Sequence, residues 1–159
     1  TDKESCHNYI SNYYEKTMSP IRNEVKRFCE IGIDQLSSVK MWRDYFPNAT
    51  VVGCDVRDFE EKEDRIEIIK MDQSKEDELD NFCSQQESFD IILDDGSHMN
   101  EHVIYSFEHL FESLKSGGLL LTHLINFCIS SLLRIISILL NLCNNSHSVQ
   151  REWIFLWHI

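Results

Sequence analysis

The chain has 159 residues, a length typical of one domain, and its 15 Lys and Arg against 27 Asp and Glu leave a formal charge of −12. This acidic balance disfavours binding to nucleic acid or to an anionic membrane through bulk charge. A hydrophobic fraction of 42% with 26% charged residues is typical of a globular protein and excludes disorder throughout. The six cysteines include no C-x-x-C pair, which excludes a zinc ribbon and favours reduced cysteines in a cytoplasmic protein.

Strands and helices are predicted to alternate along most of the chain. A Tyr-rich helical arm over residues 8–18, a lid or a packing element, is expected before Pro20. The predicted strands are Val25–Ile31, Thr50–Asp55, Ile66–Lys70, Phe89–Leu93 and Leu119–Leu121. The predicted helices are Ser37–Phe46, a helix from an N-cap at Ser74 to about Gln86, and Asn100–Leu114. This alternation predicts a Rossmann-like, doubly wound α/β fold with a mostly parallel sheet and helices on both faces.

The chain changes character after Glu112, because Glu152 is the single acidic residue that follows it. The segment Leu119–Cys143 is largely apolar, with Arg134 as its one charge, and it is long enough to span a membrane. Its polar residues recur with helical spacing, however. We therefore favour an amphipathic helix packed on protein over a membrane span.

Acidic residues follow four of the predicted strands, at the sheet edge where ligands bind in open α/β folds. They lie in Glu30-Ile31-Gly32, at Asp55, in Asp72-Gln73 and in the DDGSH segment (residues 94–98). Asp55 follows Gly32 at about the offset where an acid reaches a ribose diol in dinucleotide-binding folds. The loop after the first strand has Asp34 and a single glycine in place of G-x-G-x-x-G, and an acidic loop repels pyrophosphate. A ligand with a ribose but no phosphate suits this site better, and S-adenosylmethionine (SAM) is the obvious candidate.

The same segments make the sequence resemble the class I SAM-dependent methyltransferases, and within them the macrocin- and mycinamicin-type sugar O-methyltransferases of antibiotic glycosides. The resemblance covers residues 1 to about 121, and the DDGSH segment is its most specific motif. It implies O-methylation of a sugar hydroxyl on a glycosylated small molecule. The cofactor-binding residues that it implies are Glu30, Gly32, Ser38, Asp55, Asp72 and Gln73.

By this resemblance, Glu30 and Gly32 line the methionine end of SAM, Asp55 holds the ribose hydroxyls and Asp72-Gln73 contacts the adenine. Asp95 is implied as a ligand of a divalent metal such as Mg²⁺, and His98 as the general base. A sugar hydroxyl is a weak acid, so a hard cation and an imidazole beside it would both favour its deprotonation. His102, four residues on, could face one metal together with His98 at a helix start, but we favour a solvated surface histidine.

Two features depart from the pattern of that family. Leu36 stands where the family usually has a glycine, and we expect its side chain to crowd the cofactor. The acidic pair that completes the family's metal site after the fifth strand is missing from Leu119–Leu124. The match also stops where the charge composition changes, as expected for a truncated gene or a shifted reading frame. The family continues through two more strands, and we expect the sheet of this chain to lack those last strands.

These observations predict three parts: an N-terminal helical arm over 1–22, a SAM-binding Rossmann-like domain over 23–124 and a divergent apolar helix and tail over 125–159. The alternative function is a catalytically silent or truncated methyltransferase-fold module that binds SAM only, or no cofactor. A metal phosphohydrolase or receiver-like domain using Asp94 and Asp95 ranks third, because such domains need a lysine after the last strand and none follows the fifth strand. The acceptor and the oligomeric state are left open.

Overall fold

The computed structural model describes residues 14–60, 62–124, 133–138 and 152–157. Residues 8–13 of the predicted arm, with Tyr9 and Tyr13, and most of the predicted tail helix lie outside the described residues. The proposed division into three parts therefore stays a prediction. Within the described ranges, no helix is long and apolar enough to cross a membrane.

The described residues form six strands and five α-helical segments in the order expected for a doubly wound fold. The helices are α1 (Glu15–Met18), α2 (Ser37–Tyr45), α3 (Glu76–Gln85) and α4 (Asn100–Leu110). The strands are β1 (Arg27–Ile31), β2 (Thr50–Asp55), β3 (Ile66–Lys70), β4 (Phe89–Asp94), β5 (Leu114–Leu124) and β6 (Glu152–Trp157). Two 3₁₀ turns, Ser19–Ile21 and Phe111–Ser113, accompany them, and residues 133–138 are helical.

The strands lie in the order β3-β2-β1-β4-β5-β6, and every pair of neighbours is parallel. This is the strand order of a doubly wound α/β fold, whose direction of winding reverses between β1 and β4. The predicted fold class is therefore confirmed. Strand β6 lies in the part predicted as a tail and was not expected, although its unbroken apolar run is typical of a buried parallel strand.

Three local predictions differ from the structure. Ser74 is not an N-cap, because its amide and hydroxyl both donate to Asp72 Oδ1, at 3.0 and 2.7 Å, and α3 begins at Glu76. Helix α4 ends at Leu110 instead of Leu114, and a 3₁₀ turn leads into β5. The fifth strand was predicted as Leu119–Leu121, but β5 spans Leu114–Leu124 and includes Gly117, whose φ of +79° lies where the register against β4 shifts.

Alternate residues of the sheet enter two apolar cores, one on each face. On one face Cys29 and Val52 pack with residues of α3 and α4, including Leu79 and Phe107. On the other face the ring of Trp42 packs against the neighbouring aromatic side chains Phe28, Phe46 and Tyr14. Tyr14 is 1% exposed, so this tyrosine of the arm is a packing residue and not part of a lid.

Leu36 precedes α2 with a φ of +61°, in the left-handed region that favours glycine. Its side chain is 5% exposed and belongs to the core cluster that includes Ile33 and Val39. The leucine therefore gains apolar burial on this face while its backbone holds a conformation that disfavours any residue with a Cβ.

We predict that Leu36→Gly is more stable than Leu36→Ala by about 1 kcal/mol, although both lose the buried side chain. Glycine relieves the left-handed backbone, and alanine does not. The free energy of unfolding of both variants, from urea titration, checks this order.

Val39 provides the control, because it is fully buried in the same cluster but lies within α2. There Val39→Gly should be less stable than Val39→Ala, by about 1 kcal/mol. The same order at both positions would contradict the assignment of backbone strain to Leu36.

Candidate functional site

A cavity of about 470 Å³ opens at the carboxyl edge of the sheet, where the winding reverses. Its walls come from the loops that follow β1, β2, β3 and β4, as the positions of the acidic residues predicted. Its volume is in the range of small-molecule and cofactor sites. The residues that line it are Ile31, Gly32, Asp34, Cys54, Asp55, Val56, Arg57, Met71, Asp72, Gln73, Ser74, Asp95, Gly96, Ser97 and His102.

The floor of the cavity is formed where the backbone after β1 meets the backbone after β4. Gly32 has a φ of +84°, and a Cβ at this position would lie 2.5 Å from the carbonyl oxygen of Asp95. A 3.0 Å hydrogen bond from the Asp95 amide to the Ile31 carbonyl joins the same two segments. Only glycine satisfies both the conformation and the contact at position 32.

Asp55 closes β2 and is 8% exposed at the cavity wall. Its Oδ2 accepts from the Ile33 amide at 3.2 Å, and its Oδ1 accepts from the Arg57 amide at 3.0 Å. The Arg57 side chain donates to Oδ1 through Nε at 2.9 Å and to Oδ2 through Nη2 at 3.1 Å. Burial disfavours the carboxylate, but the hydrogen bonds and charge of Arg57 outweigh it, and the pKa of Asp55 is lowered.

The cavity is acidic, since the carboxylates of Asp34, Asp55, Asp72 and Asp95 line it and Arg57 is the one Lys or Arg among the lining residues. Such a lining repels phosphate and favours a ligand that carries positive charge. The sequence prediction of a nucleoside site without pyrophosphate therefore agrees with the lining.

Gln73 holds the DDGSH segment in place. Its Nε2 donates to Asp94 Oδ1 at 3.2 Å and to Ser106 Oγ at 2.9 Å, and its Oε1 accepts from the Ser97 amide at 2.6 Å. A Cβ on Gly96 would lie 1.8 Å from Gln73 Oε1, so a glycine is needed for this approach. Gln73 lines the cavity, but both ends of its amide are engaged in positioning the loop.

Glu30 and Ser38 are not among the residues that line the cavity. Glu30 is fully buried in β1, and its Oε1 accepts from Trp42 Nε1 at 3.2 Å. Ser38 lies in the first turn of α2 and is 6% exposed. Leu36 does not line the cavity either, so the expectation that it crowds the cofactor is wrong: its side chain packs into the core.

Of the first two histidines after β4, His102 lines the cavity and His98 does not. The His102 Nδ1 lies 2.8 Å from Ser97 Oγ. His98 has a φ of +57°, and its Nε2 lies 3.8 Å from Asp95 Oδ1. A solvated surface histidine was expected at position 102, and His102 is half-buried at the cavity wall. The spacing of four residues does not place both histidines on one helix face, because α4 begins at Asn100, after His98.

Asp95 lines the cavity as the implied metal ligand, but its surroundings in the described part of the chain do not complete a metal site. No group of three His, Cys, Asp or Glu side chains there could hold a metal ion. In the register of the sheet, Thr122 of β5 stands beside Asp94 of β4 and is 2% exposed. The missing acidic pair thus leaves Asp95 without the carboxylates that a hard cation needs.

Asp94 is buried at the end of β4, and this burial raises its pKa to about 6 despite the hydrogen bonds from Gly96 and Gln73. The pKa of Asp94 is higher in the folded chain than in the unfolded chain. The free energy of unfolding is therefore larger at low pH, where Asp94 is protonated, and it decreases as the pH rises through about 6. We predict that the stability of Asp94→Asn relative to the wild type increases by about 2 kcal/mol from pH 4 to pH 8, because the asparagine stays neutral. Urea unfolding of both proteins at each pH measures this gain.

Asp64→Asn is the matched control, because the Asp64 side chain is 95% exposed. Its difference from the wild type should stay within about 0.5 kcal/mol over the same pH range. A pH-independent difference for Asp94→Asn would show that Asp94 is ionised in the folded chain.

No protein-family model matches the chain. It is 34% identical over 119 residues to the mycinamicin VI 2''-O-methyltransferase of Micromonospora griseorubida, with 70% of this chain and 30% of the relative covered. It is 34% identical over 127 residues to the demethylmacrocin O-methyltransferase of Streptomyces fradiae, with 75% and 32% covered. The solved structure of MycE methyltransferase in complex with Mg, SAH and mycinamycin VI superimposes with a TM-score of 0.66 at 34% identity.

That superposition covers 71% of this chain and 33% of the MycE chain. The chain thus spans about one third of the length of the relatives it matches. The resemblance expected from the DDGSH segment and the strand ends is confirmed. Over about 70% of its length, the chain is a homologue of sugar O-methyltransferases, among them the mycinamicin and macrocin enzymes.

Proposed function

We propose that the chain binds SAM in the cavity at the β1–β4 edge and forms the cofactor-binding part of a SAM-dependent O-methyltransferase. The acceptor in this proposal is a sugar hydroxyl of a glycosylated small molecule, since two relatives are named for an olivosyl and a rhamnosyl substrate. The observation that carries the proposal is the buried carboxylate of Asp55 at the end of β2, in an acidic cavity without a phosphate-binding loop.

The residues of the cavity fit the parts of SAM. Asp55 can accept hydrogen bonds from a ribose diol, and Gly32 lets the backbone of the β1 loop approach the ligand closely. Asp72 lies beside the β3 end, where the resemblance implies adenine. When bound, SAM supplies a methyl group on a positively charged sulfur, and the acidic lining attracts that charge.

A methyltransferase also has to position the acceptor hydroxyl and accept its proton. His98 is the base that the resemblance implies, and its contact with Asp95 would favour the imidazolium that forms when it takes the proton. His102 lies closer to the cavity space, with its ring beside Ser97, and is the second imidazole available for this step.

The related MycE complexes hold Mg as well as SAH. The described residues of this chain do not fit a metal ion by themselves, since Asp95 has too few acidic neighbours. We therefore assign no step of the proposed reaction to a metal. Positioning and proton transfer are the roles left to the described residues.

Calorimetric titration of SAM and S-adenosylhomocysteine (SAH) into the purified chain tests the proposal. We expect micromolar binding that is weakened at least about 30-fold by Asp55→Ala, since a buried carboxylate that accepts ribose hydroxyls contributes about 2 kcal/mol or more.

Asp58→Ala provides the control, because Asp58 follows the same strand but is 73% exposed and pairs with Lys70 outside the cavity. This variant should bind as the wild type does. A folded wild-type chain that binds neither ligand, or equal affinities for all three proteins, would overturn the proposed function.

A further inference from the structure

The Arg57 side chain binds the carboxylate of Asp55, which the proposed function assigns to the ribose of the cofactor. This side chain is 52% exposed, so it lies at the open side of the cavity, whereas Asp55 is 8% exposed. The guanidinium faces Asp55 with two nitrogens, Nε at 2.9 Å and Nη2 at 3.1 Å. This two-point contact is the geometry in which Arg binds a carboxylate most strongly.

The hydrogen-bonding capacity of Asp55 is full in this arrangement. Each of its two oxygens accepts one backbone amide, from Ile33 or Arg57, and one nitrogen of the Arg57 guanidinium. A carboxylate has about four acceptor positions, so no further donor can be added. A ribose diol brings two hydroxyl donors, the same number that the Arg57 side chain supplies.

The backbone amides are parts of the loops and stay in place, whereas the guanidinium is on a half-exposed side chain that can move. Replacement of the two guanidinium hydrogen bonds by two hydroxyl hydrogen bonds leaves Asp55 fully satisfied. Ribose binding and the Arg57 contact are therefore alternatives for the same two acceptor positions.

Arg57 also connects Asp55 to the loop after β1. Its Nη2 donates to the Asp34 carbonyl at 2.9 Å, and its Nη1 lies 3.3 Å from Asp34 Oδ1. Asp34 lines the same cavity. The side chain thus joins two walls of the site while it fills the ribose position.

We propose that Arg57 is an affinity-determining residue: it latches the β1 loop to Asp55 in the free chain and has to release Asp55 before the ribose of the cofactor can bind. This inference rests on the proposed function. The apparent affinity is then the intrinsic affinity reduced by the fraction of molecules in which Arg57 has left Asp55.

The test compares SAH binding by the wild type, Arg57→Gln and Lys70→Gln. Lys70 is the matched control, because it is 59% exposed, pairs with Asp58 and does not line the cavity, yet its replacement removes the same charge. We expect Arg57→Gln to bind SAH about fivefold more tightly than the wild type, and Lys70→Gln to bind equally. Weaker or unchanged binding by Arg57→Gln would overturn the latch, and a gain shared by both variants would assign the effect to net charge.

Amide hydrogen exchange without ligand separates the latch from the proposed function. We expect the amides of Ile33 and Asp34 to exchange faster in Arg57→Gln and at wild-type rates in Lys70→Gln. If none of the three proteins binds SAH, the proposed function fails. The contact by which Arg57 holds the β1 loop to Asp55 is then tested by amide hydrogen exchange alone. Unchanged exchange in Arg57→Gln would then overturn it.

Discussion

The site depends on the contact between the backbone at Gly32 and the backbone at Asp95. At this point the neighbouring connections of the sheet leave in opposite directions, and a crevice opens above the strand ends. A side chain at position 32 would meet the Asp95 carbonyl and force the two loops apart. The Ile33 amide would then leave Asp55, and the floor of the cavity would separate from its wall. The absence of a Cβ at Gly32 therefore allows the close approach of the two loops that sets the distances between the carboxylates of the site.

Most of the fold could be predicted from local patterns of residues. Strands such as Thr50–Asp55 and Ile66–Lys70 were predicted at their observed bounds, because β-branched apolar runs between turn residues have few alternatives. The errors lie where two local preferences compete. Ser74 suits a helix cap, but the Asp72 carboxylate holds it in a turn, and the outcome depends on a side-chain contact. Strand β6 was missed although residues 153–157 form an unbroken apolar run, because a local pattern does not show that this run pairs with β5, a long segment earlier in the chain.

The cluster of acidic residues at the carboxyl edge of the sheet could also be predicted, since the strand ends can be identified in the sequence and the parallel topology brings them together. Arg57 and Gln73 are different, because their roles follow from which atoms they reach across the cavity. Leu36 shows that sequence can also suggest a contact with the site that the structure does not contain. A leucine in place of glycine suggested a crowded cofactor, whereas the left-handed backbone directs the side chain into the core and leaves the cavity clear. The sequence showed that a leucine replaces the family's glycine at position 36, but neither its left-handed backbone nor the direction of its side chain.

The central position of β1 has a consequence for how the chain acquires its site. Strand β1 pairs with β2, which follows after a short helical connection, and with β4, which is far along the sequence. The pairing of β1 with β4 closes a long loop. We expect it to form late in folding, because the chain loses the entropy of closing that loop before it gains the contacts between the two strands. Both walls of the cavity exist only once that pairing has formed. A ligand that bridges them therefore binds the completed sheet, so that its free energy of binding adds to the stability of the whole fold and not to one loop.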